Sequence, residues 1–539
     1  MSQTADVIVI GSGASAVHAA RPLVESGRRV IMLDVGREDR TYEPLIPEEP
    51  FAEIRRGDTE QHRYFLGDHF ESVSADALGA GPQVTPPRRF VLRETDPAAL
   101  RADHFAALES WAQGGLAGVW GAVSFPFTER ELEKCALPPA TLAEYYEAVA
   151  RIIGVAGCDE DLRGVSGKLD AALPPAEMDN RAEAILARYR KNREGLRRAG
   201  FSLGRPFLAM LTRPLGGRSA QAYHDMDFWS NAGGSVYRPA ITLGELKADP
   251  HFSYRYPYEV HSFAEDAQGK VSVTASAPGS KTDESFEARA LILAAGTLGT
   301  ARIVLRSLNQ YDTRVPLTSN PHSYVPCLVG PSLGQRPRER CHSLAQLTLI
   351  YNPEKNGERL VQAQYYSYRS LLLFRLLKES RLPGREALRI LRDLSHALGV
   401  WVIQHEDVQG AGKYCVLRKD KKTGGDLLEI VYEPDAAGER TRRQNEKALI
   451  GAMRQMGCWP LKLVHPGHGA SAHYASTFPA GETDRPLTTD GTGRLRGTRS
   501  VYLADGSSFN YLPAKALTLT LMANARRIGT ALSAIIGTP

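Results

Sequence analysis

Three imidazoles, His465, His468 and His473, lie close together in the carboxy-terminal part of the sequence. An unperturbed imidazole titrates near pH 6.5, so at neutral pH it is mostly uncharged and able to take a proton from a hydroxyl. A zinc site is a poor reading of the three, since no nearby cysteine or His-Glu-x-x-His helix completes one, and no metal is expected. A second kind of chemistry is written at the other end of the chain. Gly11-Ser12-Gly13-Ala14-Ser15-Ala16 follows directly on Asp6-Val7-Ile8-Val9-Ile10. The β-branched run reads as a buried strand, and the residues after the glycines read as a helix to about Ser26. A second strand, Arg29-Val30-Ile31-Met32-Leu33, then ends at Asp34. Gly11 permits the tight turn and Gly13 lets the backbone approach a pyrophosphate, while Ser15 and Ala16 complete the G-x-G-x-x-A spacing. The helix start offers free N–H groups and the positive end of its dipole. Asp34 stands 21 residues past Gly13, where a carboxylate can accept from both ribose hydroxyls. The pattern specifies a dinucleotide without separating a nicotinamide from a flavin.

Other segments must position these groups. Residues 290–295 form an apolar run that exits through Gly296-Thr297, and Val501-Tyr502-Leu503-Ala504 ends likewise at Asp505-Gly506. Several buried strands ending in glycine or an acid at one edge create a crevice for a cofactor. Residues 110–121 are dense in glycine, including Gly114 and Gly115, and carry Trp111 and Trp120. Alternating residues over 252–260 lead toward a β-meander, and residues 513–520, which include Thr518, open a closing helix that runs to about Ile536.

Taken in order, these motifs resemble the glucose-methanol-choline (GMC) oxidoreductases, a family of FAD-dependent alcohol oxidases and dehydrogenases. The resemblance covers most of residues 5–40, 105–155, 235–310 and 460–535, and is weak over 156–234 and 311–458. It implies an α/β fold, with a doubly wound Rossmann-type FAD-binding domain interleaved with a substrate-binding domain of β-sheet plus helices. The FAD-binding domain would comprise 1–155, 235–310 and 460–539, and the substrate-binding domain 156–234 and 311–459. Gly114 and Gly115 would run against the pyrophosphate and flavin ring, and Val260 would meet the adenine through its backbone. Gly296 would mark close backbone approach at a strand exit, Asp505 and Gly506 would sit by the ribityl-phosphate end, and Thr518 would add to the cofactor contacts. The block His473-x-x-Ser476-Thr477 is similar to the family's histidine, x, x, glycine-threonine, with serine for glycine. It assigns His473 as general base while hydride passes to flavin N5; His468 and His465 remain the alternatives. No Ser-Thr-His-type tether precedes Gly114, and His104 is too far upstream, so the FAD is expected to be non-covalent.

The sequence departs from the family in one chemically important place. An Asn-Pro or a histidine usually precedes the closing helix, and here Ala516-Leu517 stands instead. Neither side chain can hydrogen-bond a substrate oxygen. Asn510 and Lys515 are the nearest polar residues, with a turn role for Asn510 and a solvent-facing Lys515 as the plainer reading. The function expected is oxidation of a hydroxyl on a medium-sized metabolite, a sugar or cyclic polyol being favoured, with oxygen or another electron acceptor. Two alternatives stay open. One is a family member with lyase or other non-standard chemistry, and the other is a non-catalytic flavoprotein that binds a lipid or partner.

Composition bounds the rest. The chain has 539 residues, 42% hydrophobic and 24% charged, which is ordinary globular material for two to four domains. A net charge of +5 spread over this length gives no dense basic face, so no nucleic-acid partner is expected. No secretory leader and no transmembrane helix are expected, and the six dispersed cysteines read as reduced thiols of a soluble, cytoplasmic protein. In the middle, a basic helical stretch is expected over 180–198 and strands over 344–351, 360–368 and 400–404. Leucines interleaved with arginines over 371–398 read as helices packing on a sheet, with a lid or membrane-surface role as the second reading.

Overall fold

The computed structural model describes residues 3–70, 85–92, 99–224, 226–336, 338, 340–367, 383–420, 425–482 and 484–536. Its central element is a parallel sheet in the order Phe252–Arg255, Val30–Leu33, Gln3–Ile10, Glu284–Leu293, Val501–Leu503. The apolar run at the amino terminus is buried on both faces because each face is covered. Val7 and Val9 pack with helices Ala14–Glu25 and Thr518–Ile535. Ile8 and Ile10 pack on the opposite side with helix Thr297–Ser307 and the meander of Val271–Ser276 and Glu259–Glu265. Strand Glu284–Leu293 is shared: its first half pairs antiparallel with the meander and its last three residues pair parallel with Val501–Leu503. The segment expected to enter the meander at 252 behaves differently. Phe252–Arg255 is the outer parallel strand, and the meander begins only at Glu259.

The second large element is a six-stranded antiparallel sheet, ordered Cys458–Pro460, His322–Val329, Leu398–Gln404, Val361–Ser367, Leu347–Tyr351, Phe201–Gly204. The strands expected over 344–351, 360–368 and 400–404 are its interior members. One face is packed by helices Asn180–Lys191 and Ala436–Gln455, through Ile185, Leu186, Leu449 and Met453 against Val325, Leu349, Ala363 and Trp401. The other face lines a cavity. Side-chain alternation along His322–Val329 sends His322, Tyr324 and Pro326 to that face and Val325 and Cys327 to the core. A four-stranded sheet, Leu100–Ala102, Asp426–Tyr432, Lys413–Lys419, Arg314–Pro316, ties distant parts of the chain together.

The basic stretch at 180–198 divides at Asn192 into two helices, Asn180–Lys191 and Arg193–Arg198. Residues 371–382 lie outside the described residues; the helix after them, Gly384–Leu394, ends before 398, and Leu398 already opens a strand. Among the described residues no helix is long and apolar enough to cross a membrane. None of the six cysteines forms a disulfide among the described residues; five are buried and Cys158 is half-buried.

Candidate active site

A cavity of about 960 Å³ lies between the ends of the parallel strands and the open face of the antiparallel sheet, at the upper end of the range for ligand sites. At the nucleotide end the glycine turn does what its residue types require. Gly11 has φ +93°, and a Cβ there would sit 2.6 Å from the Ala294 carbonyl oxygen. No side chain caps helix Ala14–Glu25 at Gly13, so its first N–H groups are left for a ligand. Gly114 and Gly115 take φ +86° and +61° and bring their loop against Gly13. Gly114 N–H donates to Ser12 Oγ at 2.9 Å, and Ser12 in turn donates to Asp34. Asp34 also accepts from Tyr254 Oη at 2.9 Å. Burial pushes the Asp34 carboxyl up to about 6, against the pull of these two hydroxyls. The loop carrying Val260 is hung on the same strand end, because Tyr258 N–H donates to the Asp34 carbonyl at 2.8 Å.

The strand exits converge as the sequence suggests. Gly296, at φ +78°, opens helix Thr297–Ser307 without a capping side chain. Asp505 is buried and accepts from Thr300 Oγ1 and Ser507 Oγ, both at 2.6 Å, and burial raises its carboxyl above the usual range. A Cβ on Gly506 would press on Tyr474 O at 2.6 Å. Gly11, Gly13, Ser15, Asp34, Gly114, Gly115, Val260, Gly296, Asp505, Gly506 and Thr518 all line the cavity. Ala16 does not: it is fully buried against Val7, Val9 and Leu23, where its small size lets the helix lie on the sheet. The glycine turn, uncapped helix start and terminal acid together fit a dinucleotide.

Of the three carboxy-terminal histidines, only His473 lines this cavity. His465 is bonded to Glu446 Oε1 at 3.0 Å, and His468 lies against Tyr432, 5.1 Å between ring centroids. Ser476 adopts φ +78°, a region that favours glycine, which explains the family's glycine at this place in the block. Its Oγ lies 2.8 Å from Thr318 Oγ1, a tether that helps to hold the turn.

His473 is oriented by a residue the sequence did not single out. Its Nδ1 is 3.2 Å from Asn320 Oδ1. The amide of Asn320 has no freedom to turn, because its Nδ2 donates to His405 O at 2.7 Å and Pro513 O at 2.9 Å. An acceptor is therefore presented to Nδ1, which holds the ring proton there and leaves Nε2 as the lone-pair nitrogen. Burial lowers the His473 pKa to about 4, so the ring is neutral at pH 7.

The two candidates for the missing partner fall away. Lys515, far from facing solvent, is buried with its Nζ 2.7 Å from Glu131 Oε2, and Asn510 Nδ2 donates to Ala480 O at 2.7 Å. Neither lines the cavity, whereas Ala516 and Leu517 do. A second histidine lies there instead. The His322 ring stands edge-on to His473, 5.6 Å between centroids at 83°. Burial holds the pKa of His322 well below the ordinary value, with His473 and His405 adding to the effect. No local spacing could have revealed it, because His322 and His473 meet only through sheet pairing.

No family model matches the chain. It is 25% identical to 6'''-hydroxyparomomycin C oxidase of Streptomyces lividus over 570 residues, spanning 98% of this chain and 91% of that protein. It is 24% identical to paromamine 6'-oxidase of Streptomyces fradiae over 547 residues, with the same coverage of each. Among solved structures it is similar to pyridoxine 4-oxidase from Mesorbium loti, with a TM-score of 0.56 and 14% identity over 98% of this chain and 99% of that one. At that identity the likeness concerns the fold, and the chain shares the mixed α/β architecture of that oxidase.

Proposed function

We propose that this protein is an FAD-dependent oxidoreductase of the GMC type that oxidises a hydroxyl group on a polyol-like small molecule. The observation that carries the reading is His473, a neutral imidazole on the cavity wall whose Nδ1 faces an immobilised amide oxygen. The relatives named as oxidases of amino-sugar compounds support it, since an alcohol is what such an oxidase consumes. The segments 1–155, 235–310 and 460–539 would hold the FAD without a covalent link, with Gly11, Gly13, Gly114 and Gly115 at the pyrophosphate and Asp34 at the ribose. Bound there, the flavin would supply the two-electron acceptor.

The chain's own residues would do the rest. His473 Nε2 would accept the hydroxyl proton while the carbon is oxidised, and Asn320 would keep the imidazole in the tautomer that can do so. The antiparallel sheet would present the substrate, through Tyr324, Gln364, Tyr366 and Gln404. This wall carries amides, phenols and an imidazole but no carboxylate among its described residues, which suits a neutral sugar or cyclic polyol. The final electron acceptor would be oxygen or another small oxidant.

The test is anaerobic mixing of the yellow holoenzyme with panels of sugars, cyclitols and simple alcohols. Bleaching of the visible band by one class is expected, and a colourless protein that FAD cannot reconstitute would end the proposal. Replacing His473 by alanine should slow bleaching by roughly 10²–10⁴-fold while FAD stays bound; bleaching at the wild-type rate would remove His473 from its role.

A further inference from the structure

We propose that His322 is a second catalytic residue, and that the substrate oxygen is held between its imidazole and that of His473. The inference rests on the proposed alcohol oxidation but names a group that neither the motif nor the relatives point to. Three observations carry it. Both rings line the same cavity, and they stand edge to face with centroids 5.6 Å apart. Ala516 occupies the place before the closing helix and offers no hydrogen bond, so the first imidazole has no partner from that side. Finally, His322 Nε2 is buried and finds no hydrogen-bond partner among the described residues. A buried polar nitrogen left unpaired costs about 1–3 kcal/mol, a cost that a ligand hydroxyl could relieve.

The juxtaposition is built rather than incidental. Thr318–Ser319 pairs antiparallel with Tyr474–Ala475, matching Thr318 to Ala475 and Ser319 to Tyr474. Asn320 then bonds His473, and two residues later His322 opens the strand that faces the cavity. A single stretch of five residues therefore clamps the base, orients it and delivers the second imidazole. Its register on the sheet, His322 opposite Gln404, sets the ring at the edge nearest His473.

In the reaction the O–H bond of the alcohol breaks and its proton passes to His473 Nε2. The C–H bond would break with its electron pair passing to the two-electron acceptor that a bound flavin would supply, and the C=O double bond would form. His322 gains and loses no proton overall. Its N–H donates a hydrogen bond to the oxygen as negative charge gathers there, the role of an oxyanion donor. The groups facing His322 are His473, His405 and the neutral wall of Tyr324 and Gln404, and no carboxylate of the described wall contacts it.

The experiment uses holoenzyme with His322→Gln and His322→Phe, and ¹³C-labelled histidine rings for a readout independent of turnover. Both variants should retain the visible flavin spectrum. With the panel alcohol that bleaches wild type fastest, His322→Phe should slow flavin reduction roughly 10²–10³-fold, as for loss of an oxyanion donor. His322→Gln, which still offers an N–H, should recover part of that loss. In His473→Ala holoenzyme, which cannot carry out the proton transfer, the His322 ring signal should move when the alcohol is added. Full-rate reduction by His322→Phe, or a His322 signal unmoved by every alcohol of the panel, overturns the assignment. Should no alcohol bleach wild type, the oxidation itself fails, and the ring signal alone then decides whether His322 meets a hydroxyl.

Discussion

A buried neutral imidazole is useful as a base only if the correct nitrogen carries the lone pair, and Asn320 determines which one does. Two backbone carbonyls hold its amide, so its oxygen faces His473. The pH dependence follows. With its pKa lowered to about 4 by burial, His473 is ready to accept a proton throughout the neutral range. Activity governed by this group should stay level from pH 8 to about 5 and fall as the pH drops through about 4, where the ring is protonated. Asn320→Asp puts a carboxylate against Nδ1, which favours the charged ring and raises its pKa. The acid limb of flavin reduction should then move to higher pH, and an unmoved limb in this variant would detach Asn320 from the base. That His473 would stand on the cavity wall was legible in the sequence because its block is local: a histidine, then a turn residue three positions on. Asn320 and His322 were not, since each owes its place to pairing between strands some 150 residues apart in the chain.

At the scale of elements, the approach to the closing helix is held by an ion pair in the core. Lys515 and Glu131 are each at most 5% exposed at the side chain, and Nζ and Oε2 are 2.7 Å apart. Glu131 also serves the capping box of helix Glu129–Lys134 with Thr128, so it cannot turn away. Lys515→Met leaves that carboxylate unpaired in the core and should cost about 3–5 kcal/mol in unfolding free energy. Denaturant titration would measure it, and a loss below about 1 kcal/mol would mean the pair is dispensable. The strands and the helix were readable from apolar runs and glycine exits, because periodicity reports burial. The fate of Lys515 was not, because one lysine looks alike in sequence whether it meets water or a buried acid. The meander boundary was misplaced for a related reason: a half-exposed strand at the outer position of a parallel sheet and a strand of a hairpin share the same alternation of residue types.

For the whole molecule, buried neutral histidines set a limit on acid tolerance. His18 is completely buried, bonds Tyr237 Oη at 3.0 Å, and has its pKa lowered to about 3, first by burial and then by Arg526 and Arg21. In the unfolded chain it titrates near 6.5. Between those values the unfolded state binds the extra proton, so this group's contribution is complete above pH 6.5 and declines as pH falls toward 3. Asp34 acts in the opposite sense: with its carboxyl raised to about 6, it favours the folded state as pH falls through that value. The two are separable by substitution. His18→Gln should show a smaller drop in Tm between pH 7 and pH 5 than wild type, and an equal drop would mean His18 is not the sensor. The interleaving of the fold was legible as an ordered set of motifs. The open face of the antiparallel sheet was not, because the chain segments that build it carry no motif and are brought together only by register.

The shared strand Glu284–Leu293 gives the fold a clock. Its last three residues bond to Val501–Leu503, which is synthesised some two hundred residues later. At ordinary rates of synthesis that is a delay of about 10–40 s. Throughout it, the edge of an otherwise nearly complete sheet stands open beside the cavity proposed to take the cofactor. Cofactor loading would then have to wait for the ribosome to finish, and a chain halted near residue 460 should expose that edge and aggregate rather than accumulate as a soluble half-enzyme.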